Sequence, residues 1–501
     1  MKKAPFYIIS FRKGDVILPL HNLQDKIDKA KITVVIGPNG SGKSTVLASL
    51  VDELDLISDL LKSVPYLPRQ ARDTAQTEIV YRLGDDIFTL IRKGADLSAL
   101  MNEKKVSPQT IPFPEGAVAV AYLPTDKFRF SDNDGNPFYR YLGLRQATNM
   151  VTTGSLETKV ISSLLKGLRS ENYCNALNEW TSILNISGFF ELEFRAMSID
   201  VFSVKNVADL EKVARRTQFR KTEEIILHIL KGKDNSLNDK LLEEFFEKLY
   251  FICGKPQLNN VNNKKSRKRA TYTLKISDLI DQANVLGISW EQGVEIIRKL
   301  RLADEIRLIV NKDGKATAFA DLSSGERSVF GTVARLFEFV GDKNLIVIDE
   351  PEVSLHPSWQ IRYIPTLMKA LNHLKSVHVV IATHSHFMVS DVENASSLIV
   401  AGTDGSGAKT YSNFEGDVYG RTPDNILYRV FGVGAVTNFY VEKDLSDALY
   451  ILSAPERMNI PKLTKIRARL QKVVAEDNSA FNEIISIIDK KLGENVNAEN
   501  K

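Results

Sequence analysis

Val34-Val35-Ile36-Gly37-Pro38-Asn39-Gly40-Ser41-Gly42-Lys43-Ser44-Thr45 constrains this chain more than any other stretch. An apolar run enters a glycine-rich turn and leaves it as an apolar helix, from Thr45 to Asp59. The turn fits G-x-x-x-x-G-K-[ST]. Its glycines let successive backbone N–H groups converge on phosphate oxygens at the positive end of the following helix. Gly37, Pro38, Asn39, Gly40, Ser41, Gly42, Lys43, Ser44 and Thr45 are therefore candidate nucleotide contacts. Lys43 offers a point charge for the β- and γ-phosphates, and Ser44 a hydroxyl ligand for Mg2+. A chance glycine turn would not bring both the strand before and the helix after.

Around that loop, 501 residues with 43% hydrophobic and 26% charged content can bury a large core and divide into two or three units. No run of about 18 apolar residues occurs, and Met-Lys-Lys-Ala-Pro leads into the strand-like Phe6-Tyr7-Ile8-Ile9, not into a signal peptide's apolar region. The expectation is a cytoplasmic protein with no membrane partner. Cys174 and Cys253 lie far apart and flank no C-x-x-C or histidine-rich spacing, which fits a reducing compartment and supports neither zinc nor disulfides. The net charge of +4 means that any nucleic-acid surface must be local.

Taken in order, Phe6 to Ile9, Val16 to Pro19 and Ile32 to Ile36 read as strands, and Glu78 to Leu83 with Asp86 to Ile91 as a hairpin turning at Gly84-Asp85. Val118 to Leu123 is a continuous apolar run, as in a strand buried on both faces, and ends at Pro124-Thr125-Asp126. Helical spacing then dominates: Leu156 to Leu168, Asn172 to Leu184, Val207 to Arg216, Thr222 to Leu230, Leu237 to Ile252, Ile276 to Leu286 and Trp290 to Leu300, with one strand-like patch at Phe189 to Phe194. The block carries Lys264, Lys265, Arg267, Lys268 and Arg269 in a polar loop. These cations could grip nucleic-acid phosphates, although a solvated loop without a partner is the simpler reading. Lys462, Lys465, Arg469 and Lys472 share one helix face above an apolar stripe of Leu463, Ile466, Leu470 and Val473, which an amphipathic surface helix explains equally well.

The second half of the chemistry starts after the strand Glu305 to Val310. Leu322-Ser323-Ser324-Gly325-Glu326 precedes an apolar-periodic helix, Val329 to Val340. Ser323 and Glu326 have the spacing of a capping box, and a serine, a glycine and a helix N-terminus together can also receive an anion. Asn344-Leu345-Ile346-Val347-Ile348-Asp349-Glu350 is an apolar strand ending in paired acids. Asp349 suits a Mg2+ ligand and Glu350 a base that orients and deprotonates the attacking water. Val379 to Thr383 is another apolar strand, and His384 follows it at the end where parallel sheets place ligands, within reach of a γ-phosphate. His356 and His386 read as ordinary loop or helix-start residues.

In this order, the phosphate loop, Leu322 to Glu326, Ile348 to Pro351 and His384 resemble the ATP-binding cassette (ABC) superfamily, in particular its split, non-transporter heads related to structural-maintenance and recombination-repair ATPases. Glu352 to Pro357 looks like that family's dimer-contact loop. The departure is a missing glutamine after Val118 to Leu123. Asn425 to Val433 resembles a core segment of overcoming-lysogenization-defect-like ATPases, and the ATPases of Septu, PARIS and retron anti-phage systems are similar in size and layout. The resemblance implies an α/β split P-loop ATPase head of ABC type with a helical insertion and a helical C-terminal tail. The expected domains are an N-terminal lobe at 1–151, the insertion at 152–301, a C-terminal lobe at 302–433 and a helical region at 434–501. It further implies ATP and Mg2+ as cofactors and a head-to-tail homodimer, in which Ser323, Ser324, Gly325 and Glu326 serve the nucleotide of the other subunit. The implied partner is a separate effector, a nuclease or toxin, in anti-phage defence. A DNA-end-binding repair head is the alternative.

Two segments tempt a nuclease reading. Tyr440 to Asp447 looks like the start of a TOPRIM domain, with Glu442 at a strand end, but no D-x-D pair follows, and Asp444, Asp447, Asp477 and Asp489 are the only aspartates left. The tail reads instead as helices at Asp444 to Leu452, Pro461 to Val474 and Phe481 to Leu492. Asp132-Asn133-Asp134 reads as a polar turn. The chain is therefore expected not to be the nuclease itself.

Overall fold

A computed structural model describes residues 5–21, 30–62, 75–131, 138–145, 153–196, 257–258, 270–277, 303–374, 376–389, 397–414, 439–453, 459–471 and 485–491. The chain divides into two units, Met1–Ile426 and Leu427–Lys501. In the first, β1 (Phe6–Lys13), β2 (Val16–Pro19) and β3 (Lys31–Ile36) lead into α1 (Lys43–Leu61). Next come β4 (Thr77–Leu83), β5 (Asp86–Lys93), β6 (Asp96–Met101), β7 (Lys104–Val106), β8 (Gly116–Ala121), β9 (Tyr139–Tyr141), α2 (Thr153–Gly167) and α3 (Glu171–Ile183). Then follow β10 (Ile186–Ala196), β11 (Gln257–Leu258), β12 (Ala270–Lys275), β13 (Ala303–Lys312), β14 (Lys315–Ala318), α4 (Ser324–Phe339), β15 (Asn344–Asp349) and α5 (Pro357–Ala370). β16 (Val377–Thr383), α6 (His386–Val389), β17 (Ser397–Thr403) and β18 (Lys409–Asn413) complete the unit.

A seven-stranded sheet in the order β18-β17-β3-β16-β15-β8-β9 carries the site. All its pairings are parallel except β17 with β18. Every residue of β3, β8, β15 and β16 is buried, which is why these strands read as largely apolar runs in the sequence. On one face, Val46, Leu47, Leu50, Leu54 and Ile57 of α1 share a core with Val35, Val347 and Val380 of the sheet and with Phe6, Phe11, Tyr81 and Leu90 of a second, antiparallel sheet, ordered β2-β1-β4-β5-β6-β7. The expected hairpin at Gly84-Asp85 is present, with Leu83 opposite Asp86, and the meander continues through β6 and β7, which periodicity alone did not reveal. His378 joins the sheets: its Nδ1 accepts from Ile8 N at 3.1 Å, and its Nε2 lies 2.9 Å from Thr33 Oγ1, which itself donates to Leu20 O.

The stretch expected as a separate, mainly helical insertion is tied into the head. The patch expected at Phe189 to Phe194 is an 11-residue strand, β10, paired with β12 and, across the expected 301/302 boundary, with β13. One antiparallel sheet, β11-β12-β10-β13-β14, therefore spans both expected domains. Strand pairing between distant segments has no local signature, whereas α2 and α3 fall where the 3.6-residue period put them. Both pack on α4: Tyr173 Oη donates to Ala334 O at 2.9 Å, and a Cβ on Gly331 would stand 3.2 Å from Leu156. The helices expected at 207–216, 222–230, 237–252 and 290–300, most of the one at 276–286, the basic loop Lys264 to Arg269, Asp132 to Asn136 and Asn425 to Val433 lie outside the described residues.

In the second unit, α7 (Phe439–Leu452), α8 (Ile460–Leu470) and a helix at 485–491 bury Ala448, Ile451, Leu463, Ile466, Leu470 and Ile488 together. The unit begins at Leu427, ahead of the expected 433/434 boundary.

Candidate active site

The phosphate loop hangs between the ends of β3 and α1, and its glycines are there for stated reasons. A Cβ on Gly37 would stand 2.2 Å from Ala401 O of β17, and Gly42 caps α1 at φ +90°, a left-handed conformation that glycine adopts without penalty. Lys43 Nζ donates to Gly37 O at 2.9 Å and lies 2.8 Å from His384 Nε2. Burial lowers the Lys43 pKa to about 8, against the pull of Glu350, Asp349 and Glu352. Burial, and then Lys43 itself, also lowers the pKa of His384, so at neutral pH the imidazole accepts the ammonium's proton contact.

β15 delivers the paired acids to the same end of the sheet. Ser44 Oγ donates to Asp349 Oδ1 at 2.9 Å. Asp349 is buried, which raises its pKa to about 7. Glu350 takes φ +51°, which costs a non-glycine residue about 1–2 kcal/mol, and its Oε1 lies 3.5 Å from His384 Nε2. Glu352 Oε1 accepts from His384 N, fixing the start of the loop after β16. Gly42, Lys43, Ser44, Glu350 and His384 all line one cavity of about 760 Å3, large enough for a nucleotide. A hydroxyl and a carboxylate in contact are hard oxygen donors that fit a divalent cation sharing its shell with phosphate and water. Among the described residues, no group of three His, Cys, Asp or Glu could hold a metal by themselves.

The serine-glycine stretch lies elsewhere. Ser323 and Glu326 form the capping box, with Ser323 N to Glu326 Oε2 at 2.8 Å and Glu326 N to Ser323 Oγ at 3.3 Å, and Lys312 pairs with Glu326. Ser324 is exposed and lines a different cavity, of about 400 Å3, with Arg327, Ser328, Val353 and Ser354. Gly325 is a glycine because Ser354 O of the Glu352–Pro357 loop comes within 2.4 Å of where its Cβ would be.

Several cavity residues were not anticipated: Phe11, Lys13 and Val16 from β1 and β2, Lys127, Lys409 and Tyr411. Lys127 comes from the loop after β8. Its neighbour Asp126 is held by Arg145 Nη2 at 2.6 Å and Tyr141 Oη at 2.6 Å. The alternation Lys409-Thr410-Tyr411 after the apolar run Ser397 to Thr403 was the available signal for β17 and β18. His356 caps α5 and His386 opens α6, as expected of ordinary helix-start residues.

In the second unit, Glu442 lies within α7 and not at a strand end. Asp444 pairs with Arg469 at 2.5 Å, Asp447 with Lys462 at 3.0 Å and Asp489 with Arg467 at 2.8 Å, so these aspartates and cations serve helix packing.

A parallel sheet with phosphate loop, paired acids and histidine at its carboxyl end is the arrangement of a P-loop ATPase in an α/β fold. The chain is similar in part to several known proteins. The family described as "AAA domain, putative AbiEii toxin, Type IV TA system" matches residues 200–390. "Retron Vc95 probable ATPase" of Vibrio cholerae serotype O1 biovar El Tor is 22% identical over 74% of this chain and 68% of its own length. "Retron Ec83 probable ATPase" of Escherichia coli is 22% identical over 71% of this chain and 64% of its own. Protein ea59 of Escherichia phage lambda is 31% identical over 25% of each chain, so the match spans a quarter of that relative. Among solved structures, the SMC head domain from Thermotoga maritima aligns at 12% identity and TM-score 0.29, covering 82% of this chain and 99% of that one. The recombination mediator protein RecF aligns at 12% and 0.28, covering 80% and 97%. No helix among the described residues is long and apolar enough to cross a membrane.

Proposed function

We propose that this chain hydrolyses ATP with Mg2+ as a head-to-tail homodimer and thereby controls a separate effector, a nuclease, in anti-phage defence. The observation that carries the chemistry is the meeting of Lys43, Ser44, Glu350 and His384, from three strand ends, at one cavity, with Asp349 behind them in contact with Ser44. The loop amides and Lys43 bind the phosphates; Ser44 and Asp349 would hold Mg2+, which would supply positive charge to offset that of the triphosphate. Glu350 takes the proton of the attacking water, and His384 contacts the γ-phosphate. The exposure of Ser324 at a separate cavity supports its use in trans, at the nucleotide of a second subunit. The retron relatives and the toxin-antitoxin wording of the matching family support the defence role.

The assembly has a numerical test. Ser324→Arg blocks the serine-glycine surface, Lys43→Ala the phosphate loop, and each homodimer is expected to be inactive. Random mixing makes half the dimers mixed, each with one complete site of two, so turnover should return to about a quarter of wild type. A mixture as inactive as its components would refute completion in trans.

A further inference from the structure

The phosphate loop is also held by a hairpin nearly 370 residues away in sequence. β17 lies parallel to β3, with Ser397 opposite Thr33 and Val400 opposite Ile36. Asp404 closes the turn that follows, its Oδ1 accepting from Ser406 N and Ala408 N at 2.9 Å each, and β18 runs back antiparallel. Alternate strand residues share a face, and here Lys409 and Tyr411 both meet the loop. Lys409 Nζ donates to Gly40 O at 2.6 Å, and Tyr411 Oη donates to Gly42 O at 3.0 Å and Ser41 O at 3.4 Å. The fit leaves little slack, since a Cβ on Gly42 would come within 2.9 Å of Tyr411 Oη. Both side chains also line the cavity.

A carbonyl and the next residue's N–H point opposite ways across a trans peptide. Fixing the carbonyls of Ser41 and Gly42, the second of which also accepts from Val46 N at 3.0 Å within α1, fixes the planes of the peptides that carry the N–H groups of Gly42 and Lys43. A loop of three glycines would otherwise keep more backbone freedom and lose it on binding. We propose that Lys409 and Tyr411 are positioning residues for the triphosphate: the hairpin sets the phosphate loop's amides in their binding orientation before the ligand arrives. The two ends of the nucleotide site, far apart in sequence, then form one rigid cradle. This rests on the reading of the cavity as an ATP site.

The test uses the full chain with Tyr411→Phe, Lys409→Met and, as a control on the opposite face of β18, Ser412→Ala. Binding of a fluorescent ATP analogue, steady-state ATPase kinetics and melting temperature are measured for each. Tyr411→Phe and Lys409→Met should each weaken nucleotide binding about two- to tenfold, the scale of one lost hydrogen bond. KM should rise with kcat nearly unchanged, since the loss falls on ground and transition state alike, while melting and Ser412→Ala stay at wild-type values. Wild-type affinity in both variants, or a fall in kcat at constant KM, would overturn the proposal while leaving the ATP site intact. A wild-type chain that binds no ATP analogue would instead remove the ATP reading, and the proposal with it.

Discussion

Arg92 on β5 and Glu53 on α1 form an ion pair whose side chains are only 1% and 4% exposed. Glu53 accepts from Arg92 Nε at 2.5 Å, Arg92 Nη2 at 2.7 Å and Thr77 Oγ1 at 2.6 Å, so the helix that carries Lys43 is fastened to the antiparallel sheet by charge as well as by packing. Arg92→Met keeps most of the side-chain volume and removes the guanidinium. Glu53 is then buried as a carboxylate with the Thr77 hydroxyl as its remaining donor from this network. Removing one partner of such a pair costs about 3–5 kcal/mol, mostly for the stranded charge. At a urea slope of about 3 kcal/mol/M, the unfolding midpoint should fall by about 1–1.7 M. Adding Glu53→Leu removes the stranded charge, and buried pairs replaced by apolar groups are commonly neutral or better. The double variant should therefore recover most of the loss. Urea titration followed by circular dichroism measures both, and binding of an ATP analogue should weaken and recover in parallel, because α1 carries Lys43. A midpoint shift in Arg92→Met below about 0.3 M, or a double variant no more stable than the single one, would refute the claim that a stranded charge dominates.

Glu350→Gln should retain ATP binding and lower hydrolysis by at least about a hundredfold, the scale for losing a positioned base, whereas Lys43→Ala should weaken binding itself; equal turnover in Glu350→Gln and wild type would remove the base assignment. His378 is held neutral by burial, its pKa well below the ordinary value of 6.5, so the unfolded chain binds the extra proton and stability falls as pH drops below about 6.5. Between pH 6.5 and 5.5 wild type should lose about 1 kcal/mol more than His378→Gln, and parallel stability–pH curves would contradict this. Purified chain incubated with plasmid, linear DNA and tRNA in Mg2+ or Mn2+, with and without ATP, should leave them intact; cleavage that disappears in Glu442→Ala would assign the nuclease to this chain.

Local physics was legible in the sequence, and pairing over distance was not. The phosphate loop, the apolar strands ending at Asp349 and His384, the capping box at Ser323 and the helices α2, α3, α7 and α8 each have a short-range cause: glycine geometry, burial on both faces, a side chain satisfying a helix end, or a 3.6-residue period. The motif order, through its resemblance to ATP-binding cassette heads, also marked Gly37 to Thr45 and Asp349 to Glu350 as parts of one site. What tertiary structure alone decided is where segments far apart in sequence meet. β10 joins β13 across an expected domain boundary, and His378 bridges two sheets. Glu53 finds Arg92 39 residues away, and Lys409 and Tyr411 reach the phosphate loop from β18. Such contacts depend on register and sheet order, which follow from the packing of the whole core and leave no mark on the residues beside them.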